Sequence, residues 1–303
     1  MLGRSNLVAL VGGGKKPLAA PNKVLIYDCQ SDQMVAELGF KTPVLNIMMA
    51  RDSLLVVSKI RIDVFSVPTF ELQETFETYS NPRGLAAVNW LGTQVRVAIL
   101  GSQPGQVHLV DVGASGRSPV MFQAHQHALA ALAMAPAGGR LASSSVRGTI
   151  IRVFDTKTGA QLHEFRRGYT AAEMLGLTFS RNATILCAAS DRTAHLFAVD
   201  GTATGGTNST TTAPRSASSG AVVASGSESR SWTMFLHGQQ TSFKTIELPF
   251  PGRCCFTLDG QSLMVACRNG ALYAFSLSEG STEEPAVITL FREDDCDMFR
   301  VRS

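Results

Sequence analysis

Apolar and polar residues alternate in short runs along most of the chain, and nowhere do they sustain the 3.6-residue stripe of an amphipathic helix. Six of these runs close the same way, on an aromatic or aliphatic residue followed mostly by Asp or Ser. They end at Tyr27-Asp28, Phe65-Ser66, Val110-Asp111, Phe154-Asp155, Phe197-Ala198 and Phe275-Ser276. From Tyr27 onward the separations are 38, 45, 44, 43 and 78 residues. The last falls into line if roughly 35 residues are an insertion in one repeat. The window 201–231 supplies it, because 24 of its 31 residues are Gly, Ser, Thr or Ala, the composition of a flexible loop.

Each unit reads as four short strands. Between 127 and 165 they are Leu129–Met134, Arg140–Ser144, Thr149–Phe154 and Gln161–Phe165, punctuated by Gly138-Gly139, Arg147-Gly148 and Lys157–Gly159. Four-stranded units of about 40–45 residues are what a β-propeller blade requires, and each blade buries its faces only against its neighbours. The expectation is an all-β chain forming one β-propeller of four-stranded blades over 1–303, with six repeats counted and the 201–231 loop inserted in a late blade. An ordinary β-sandwich is the alternative, and five regular separations count against it.

The balance of charge limits the partners. With 27 basic and 24 acidic side chains the formal net charge is +3, too even for a protein gripping nucleic acid along its whole surface, so no nucleic-acid partner is expected. A local basic pocket remains compatible with it. The longest apolar run, Ala128–Ala137, is about half of the ~20 residues a spanning helix needs. The start, with one Arg and a short apolar stretch before Gly12-Gly13-Gly14, does not read as a secretory signal. The cysteines at 29, 187, 254, 255, 267 and 296 form no CxxC pair, which points to reduced thiols and a cytoplasmic protein. The sequons at Asn182 and Asn208 are then idle.

Catalytic signatures are missing from the sequence. Gly12–Lys16 is not a phosphate loop, since Ala9 stands where the first glycine belongs and Lys16 where Ser or Thr would bind Mg²⁺. Gly101–Gly105 has the wrong spacing for a nucleophile elbow. His125-Gln126-His127 lacks companion ligands in the sequence and reads as a surface pair unless other groups join it. The acidic segment Glu293–Asp297 reads as a solvated end. No enzyme activity, cofactor or metal is expected.

One feature stands above this background, Phe165-Arg166-Arg167-Gly168 at the end of a blade's outermost strand. Successive side chains on a strand point to opposite sides, so Arg166 and Arg167 cannot serve one pocket together. At a propeller rim they would reach two separate flanks, with Gly168 easing a turn and the approach of a ligand. On the earlier side lie His125, Ser144, Ser145, Arg147, Thr149 and Arg152, and on the later side Ser190, Arg192, Thr193 and His195. Guanidinium, imidazolium and hydroxyl donors of this kind suit a phosphorylated ligand, and paired pockets suit a membrane that displays many copies of it. If His125 and His195 titrate near neutrality, binding should be tighter near pH 6 than near pH 8.

These residues resemble the FRRG signature of the PROPPIN family, the WIPI-type seven-bladed propellers that bind phosphoinositides. Neighbouring stretches agree: Val11–Pro17 with Pro21–Val24, Asn81–Gly84, Ala124-His125 leading into Leu129–Leu132, Gly148–Phe154, Phe179-Ser180 and Thr193–Phe197. The similarity runs from about Asn6 to Ser278. It implies binding of phosphatidylinositol 3-phosphate and phosphatidylinositol 3,5-bisphosphate, a role in autophagosome formation, and recruitment from the cytoplasm to phagophore or endosomal membranes. It also implies an autophagy lipid-transfer protein as partner, and a monomer is expected. By position, Arg166 with His125, Arg147, Thr149, Ser145 and Arg152 would form a first lipid site, and Arg167 with Ser190, Thr193 and His195 a second.

A third element implied by the family is a membrane-inserting loop, whose place is taken here by 201–231 leading into Trp232–Leu236. Trp232 reads more readily as a core strand resuming after the loop, with interfacial insertion as the alternative. The chain departs from the family pattern in two respects. The family has a further blade before the GGGK segment, and Arg192 stands where many members have a small or acidic residue. A scaffold working only through proteins is the competing function, and a propeller hydrolase is a remote third for which no residues stand out.

Overall fold

The computed structural model describes residues 6–13, 17–50, 52–114, 118–199, 240–278 and 284–289. The insertion at 201–231, Trp232–Leu236, the acidic segment at 293–297 and part of the GGGKK stretch lie outside these described residues. Among the described residues there is no helix. Six sheets, antiparallel apart from one two-residue strand, follow one another along the chain.

The first sheet has three strands, β1 (Leu7–Val11), β2 (Lys23–Asp28) and β3 (Gln33–Gly39). The second holds β4 (Asn46–Ala50), β5 (Ser53–Val57), β6 (Arg61–Ser66) and β7 (Leu72–Glu77). The third holds β8 (Ala87–Val88), β9 (Arg96–Leu100), β10 (Gln106–Asp111) and β11 (Val120–Gln123). The fourth is β12 (Leu129–Met134), β13 (Arg140–Ser145), β14 (Ile150–Asp155) and β15 (Gln161–Arg166). After β16 (Met174–Phe179), β17 (Ile185–Ser190) and β18 (Thr193–Ala198), the two-residue β19 (Gln240–Thr241) pairs in parallel with β15. The chain then returns as β20 (Lys244–Glu247) to complete the fifth sheet. The sixth is β21 (Gly252–Phe256), β22 (Ser262–Cys267), β23 (Ala271–Ser276) and β24 (Ala286–Thr289). These sheets are the six blades of a propeller ring.

The recurring aromatic–Asp ending has a local physical cause. Asp155 ends the third strand of its blade, and its Oδ1 accepts the backbone N–H groups of Lys157 at 2.9 Å and Thr158 at 2.8 Å. The Thr158 hydroxyl donates to the same oxygen at 2.9 Å. Asp28, which ends β2 in the first sheet, does the equivalent job, taking the Gln30 N–H and the Ser31 hydroxyl, each at 2.9 Å. Such Asx turns reverse the chain between β14 and β15 and between β2 and β3, and the donated bonds hold both carboxyls below their ordinary pKa. Asp111 uses its carboxylate differently: Arg96 grips it through Nε at 2.6 Å and Nη2 at 2.9 Å and also reaches Thr156 of the next blade.

The core is divided among the junctions. Five apolar clusters fill the five junctions between consecutive sheets, and that between the fourth and fifth gathers Ile151, Val153, Phe165, Leu186 and Phe197. Middle strands are covered on both faces, so β5, β13 and β17 are almost wholly buried and combine aliphatic residues such as Leu54, Leu55, Leu141 and Leu186 with small ones. Phe165 and Phe197 stack with centroids 4.8 Å apart, and Phe197 is inaccessible to solvent. Truncating Phe197 to Ala removes a ring from the middle of this junction and should cost about 3–5 kcal/mol in equilibrium denaturant unfolding. A loss below about 1 kcal/mol would mean that the two blades do not depend on that contact.

Candidate functional site

The end of β15 sets the geometry. Phe165 faces the fifth sheet, where it meets Phe197, and Arg167, two residues on, lies on the same side. Its Nε donates to the Gly148 carbonyl at 2.6 Å, one Nη donates to the Thr170 carbonyl, and its backbone N–H donates to Thr149 O at 2.9 Å. Two of five guanidinium donors are thereby used to aim the group. Partial burial lowers the Arg167 pKa, with Asp191 opposing that shift electrostatically. Gly148 is essential to this arrangement: its φ is +63°, and a Cβ there would sit 2.2 Å from the Ala172 carbonyl oxygen. Gly168 has no such need, since its φ lies outside the left-handed region and nothing lies within 4 Å of a built Cβ. The turn role expected of Gly168 belongs to Gly148.

On this flank the predicted partners form a continuous polar chain. The Ser190 hydroxyl lies 3.0 Å from Thr193 Oγ1, which in turn lies 3.0 Å from His195 Nε2. On the other side of the ring, His195 Nδ1 meets Ser242 Oγ at 3.3 Å and Thr245 Oγ1 at 3.2 Å. Burial lowers the His195 pKa, and the Arg167 cation lowers it further. Ser242 and Thr245 were not foreseen, because they return to the site only after the long insertion. Arg192 is exposed, and its carbonyl anchors Leu248 at 2.8 Å.

Arg166 points to the opposite flank, the side that also carries Glu164. Its guanidinium carbon lies 4.8 Å from the centroid of the Tyr169 ring, a cation–π contact with a residue that is 85% exposed. Tyr169 was also missed, although it directly follows the FRRG stretch. Arg147 is exposed in the turn between β13 and β14, and Thr149 is half-buried beside it, while Ser145 is buried. Arg152 is turned inward, donating through Nε to Glu164 at 2.8 Å and through Nη1 to the Ala124 carbonyl at 2.7 Å.

His125 corrects two expectations. It is not half of a surface pair: its ring is buried and Nε2 lies 3.0 Å from Ser143 Oγ, whereas His127 is exposed. Burial, helped by the nearby Arg152 cation, pushes its pKa from 6.5 down to about 4. Since both histidines are shifted away from neutrality toward acid, they give no reason for tighter binding near pH 6.

The pattern of the PROPPIN family matches residues 2–291. The chain belongs to the PROPPIN family. SVP1-like protein 2 of Emericella nidulans is 39% identical over 200 residues, covering 65% of this chain and 61% of that protein. Autophagy-related protein 18e of Arabidopsis thaliana is 35% identical over 201 residues, covering 65% of this chain and 53% of that protein. The chain thus spans between half and three-fifths of the length of these relatives. Among solved structures, Kluyveromyces lactis Hsv2p superposes with a TM-score of 0.66 at 18% identity, covering 95% of this chain and 81% of its own. KlAtg21, solved in complex with the coiled coil of AgAtg16, gives 0.68 at 19% identity, covering 95% and 82%. At such identities the likeness is one of fold.

The buried neutral imidazole has a consequence for acid stability. An unfolded His125 takes up a proton near pH 6.5, and the folded one only near 4. Its contribution is therefore fully present above the unfolded value and is lost as pH falls from about 6.5 toward 4. Denaturant midpoints measured across that range should fall with acidity, and His125→Asn should make the fall shallower. An unchanged slope in that variant would show that the ring is not the group responsible.

Proposed function

We propose that this chain is a peripheral membrane effector that binds phosphatidylinositol 3-phosphate and phosphatidylinositol 3,5-bisphosphate through two basic pockets flanking β15. Acting as an adaptor in autophagosome formation, it moves between the cytoplasm and phagophore or endosomal membranes, with an autophagy lipid-transfer protein as partner. The observation that carries this reading is the division of two adjacent guanidinium groups between two flanks of one strand. Arg167 is aimed by the Gly148 and Thr170 carbonyls beside the Ser190–Thr193–His195 chain, and Arg166 stands on the far side over Tyr169.

In this reading the second pocket uses Arg167, Thr193, Ser190 and a neutral His195 as hydrogen-bond partners for phosphate oxygens. The first uses Arg166, Arg147 and Thr149, with Ser145 beside them. His125 and Arg152 act from beneath, holding β13, β14 and β15 in register through Ser143 and Glu164. Charge-assisted bonds to phosphate contribute roughly 1.5–3 kcal/mol each, so either pocket alone binds modestly and the two together on one membrane bind well.

The coiled coil bound to KlAtg21 favours a second reading, a scaffold that acts through proteins alone. Liposome sedimentation separates the two. Replacing Arg166 and Arg167 together by Thr should weaken sedimentation with phosphatidylinositol 3-phosphate liposomes by about tenfold or more, from the loss of charge-assisted bonds. A double variant that sediments as the wild type does would leave the scaffold reading standing.

A further inference from the structure

A separate group of cations stands on the axis of the ring. A cavity of about 660 Å³ opens there, bounded by β12, β16 and β21 and by the segments leading into β4 and β8. Ala130, Ala131, Gly176 and Ala266 line it, and their small size leaves the space open. Arg83, Arg253 and Arg268 border the same cavity, and Glu173 is the one carboxylate among its lining residues. All four are exposed. Among the described residues, none of these three guanidinium groups has a hydrogen-bond or ion-pair partner. The flanks of β15 are elsewhere, since β15 is the fourth strand out from the axis, about 14 Å from β12 at the usual strand spacing.

The chain holds these charges at one mouth of the cavity. Arg83, Glu173 and Arg253 stand at or a few residues ahead of the starts of β8, β16 and β21, and Arg268 follows the end of β22, which pairs with the start of β21. Arg83 sits in a turn fixed from beneath. Asn81 is inaccessible to solvent, and its side chain both donates to the Leu85 carbonyl and accepts the Leu85 N–H, each at 2.8 Å. Asn46 Nδ2 braces the same turn by donating to the Gly84 carbonyl at 3.1 Å. The Asn81–Gly84 stretch thus has a use that the flanks of β15 do not make of it. On the sixth sheet, the Arg268 N–H donates to the Pro251 carbonyl at 3.0 Å, and Arg253 pairs with Ala266. The third and sixth sheets stand three places apart in the ring of six, so Arg83 faces Arg253 and Arg268 across the mouth.

We propose that this mouth is a docking site for an extended acidic peptide of a protein partner. Three cations against one carboxylate leave an excess of positive charge, which an anionic ligand neutralises. Because the cations stand on opposite walls, a compact anion meets one wall only. Side chains on alternate residues of an extended peptide are about 7 Å apart, so a run of Asp or Glu reaches both. Guanidinium forks pair with carboxylates in bidentate fashion. Among the described residues, β12, β16 and β21 each end their sheet toward the axis with one edge unpaired, and that edge offers backbone donors and acceptors to an added extended chain.

The test is fluorescence anisotropy of a fluorescein-labelled hexaglutamate peptide, kept extended by its own charge, titrated with the purified full chain at about 50 mM salt. Saturable binding of one peptide per chain is expected. Arg83→Gln and Arg253→Gln should each weaken it by about fivefold, and Glu173→Gln should tighten it by removing a facing carboxylate. Excess inositol 1,3-bisphosphate should leave the peptide bound, and Arg83→Gln/Arg253→Gln should sediment with phosphatidylinositol 3-phosphate liposomes as the wild type does. Absence of peptide binding, equal affinity in the wild type and Arg83→Gln/Arg253→Gln, or displacement by the bisphosphate overturns the inference.

Discussion

Phe165 is 1% exposed and stacks on Phe197 in the junction between the fourth and fifth blades, so its side of β15 is fixed by the core. Strand pleating does the rest: with Phe165 turned inward to that junction, Arg167 must follow it and Arg166 must oppose it. A one-residue slip of β15 would bury a guanidinium and expose the phenyl ring, a change the packing does not permit. The two cationic flanks are therefore a consequence of hydrophobic packing. The polar groups refine an arrangement that the apolar ones impose.

That refinement differs between the flanks. Around Arg167 the protein supplies carbonyl acceptors from Gly148 and Thr170, and a left-handed glycine that only a missing side chain allows. The hydroxyl and imidazole groups of Ser190, Thr193, His195, Ser242 and Thr245 continue the chain into the outer strand of the fifth blade. Around Arg166 the aromatic face of Tyr169 lies 4.8 Å from the guanidinium carbon. Beneath it, the Arg152–Glu164 pair and the His125–Ser143 contact lock strands together. Lowered histidine pKa values fit groups that serve as neutral hydrogen-bonding parts of a scaffold.

Much of this was legible in the chain. The four strands expected between 127 and 165 match β12 to β15 to within one residue at each end, because turn glycines and Asx residues mark their limits. The opposition of Arg166 and Arg167 followed from the two-residue period of a strand alone. What escaped notice depends on distance along the sequence. The three-stranded first sheet and the parallel β19 have no local signal, and Ser242 and Thr245 are separated from His195 by the insertion. The inward turn of Arg152 was within reach, since it stands opposite Glu164 in the register of β14 and β15. Composition alone presented it as one more cation. His125 was misjudged because its partner, Ser143, lies on a strand whose run of serines looks solvent-facing but is buried on both sides.

Two separate flanks make a claim about number as well as place. Calorimetric titration of the wild-type protein with the soluble headgroup inositol 1,3-bisphosphate counts the sites without any membrane. Two bound headgroups per chain, reduced to one by Arg166→Thr and to one by Arg167→Thr, is the result this geometry predicts. A single bound headgroup in the wild type, or the loss of all binding in either single variant, would contradict it.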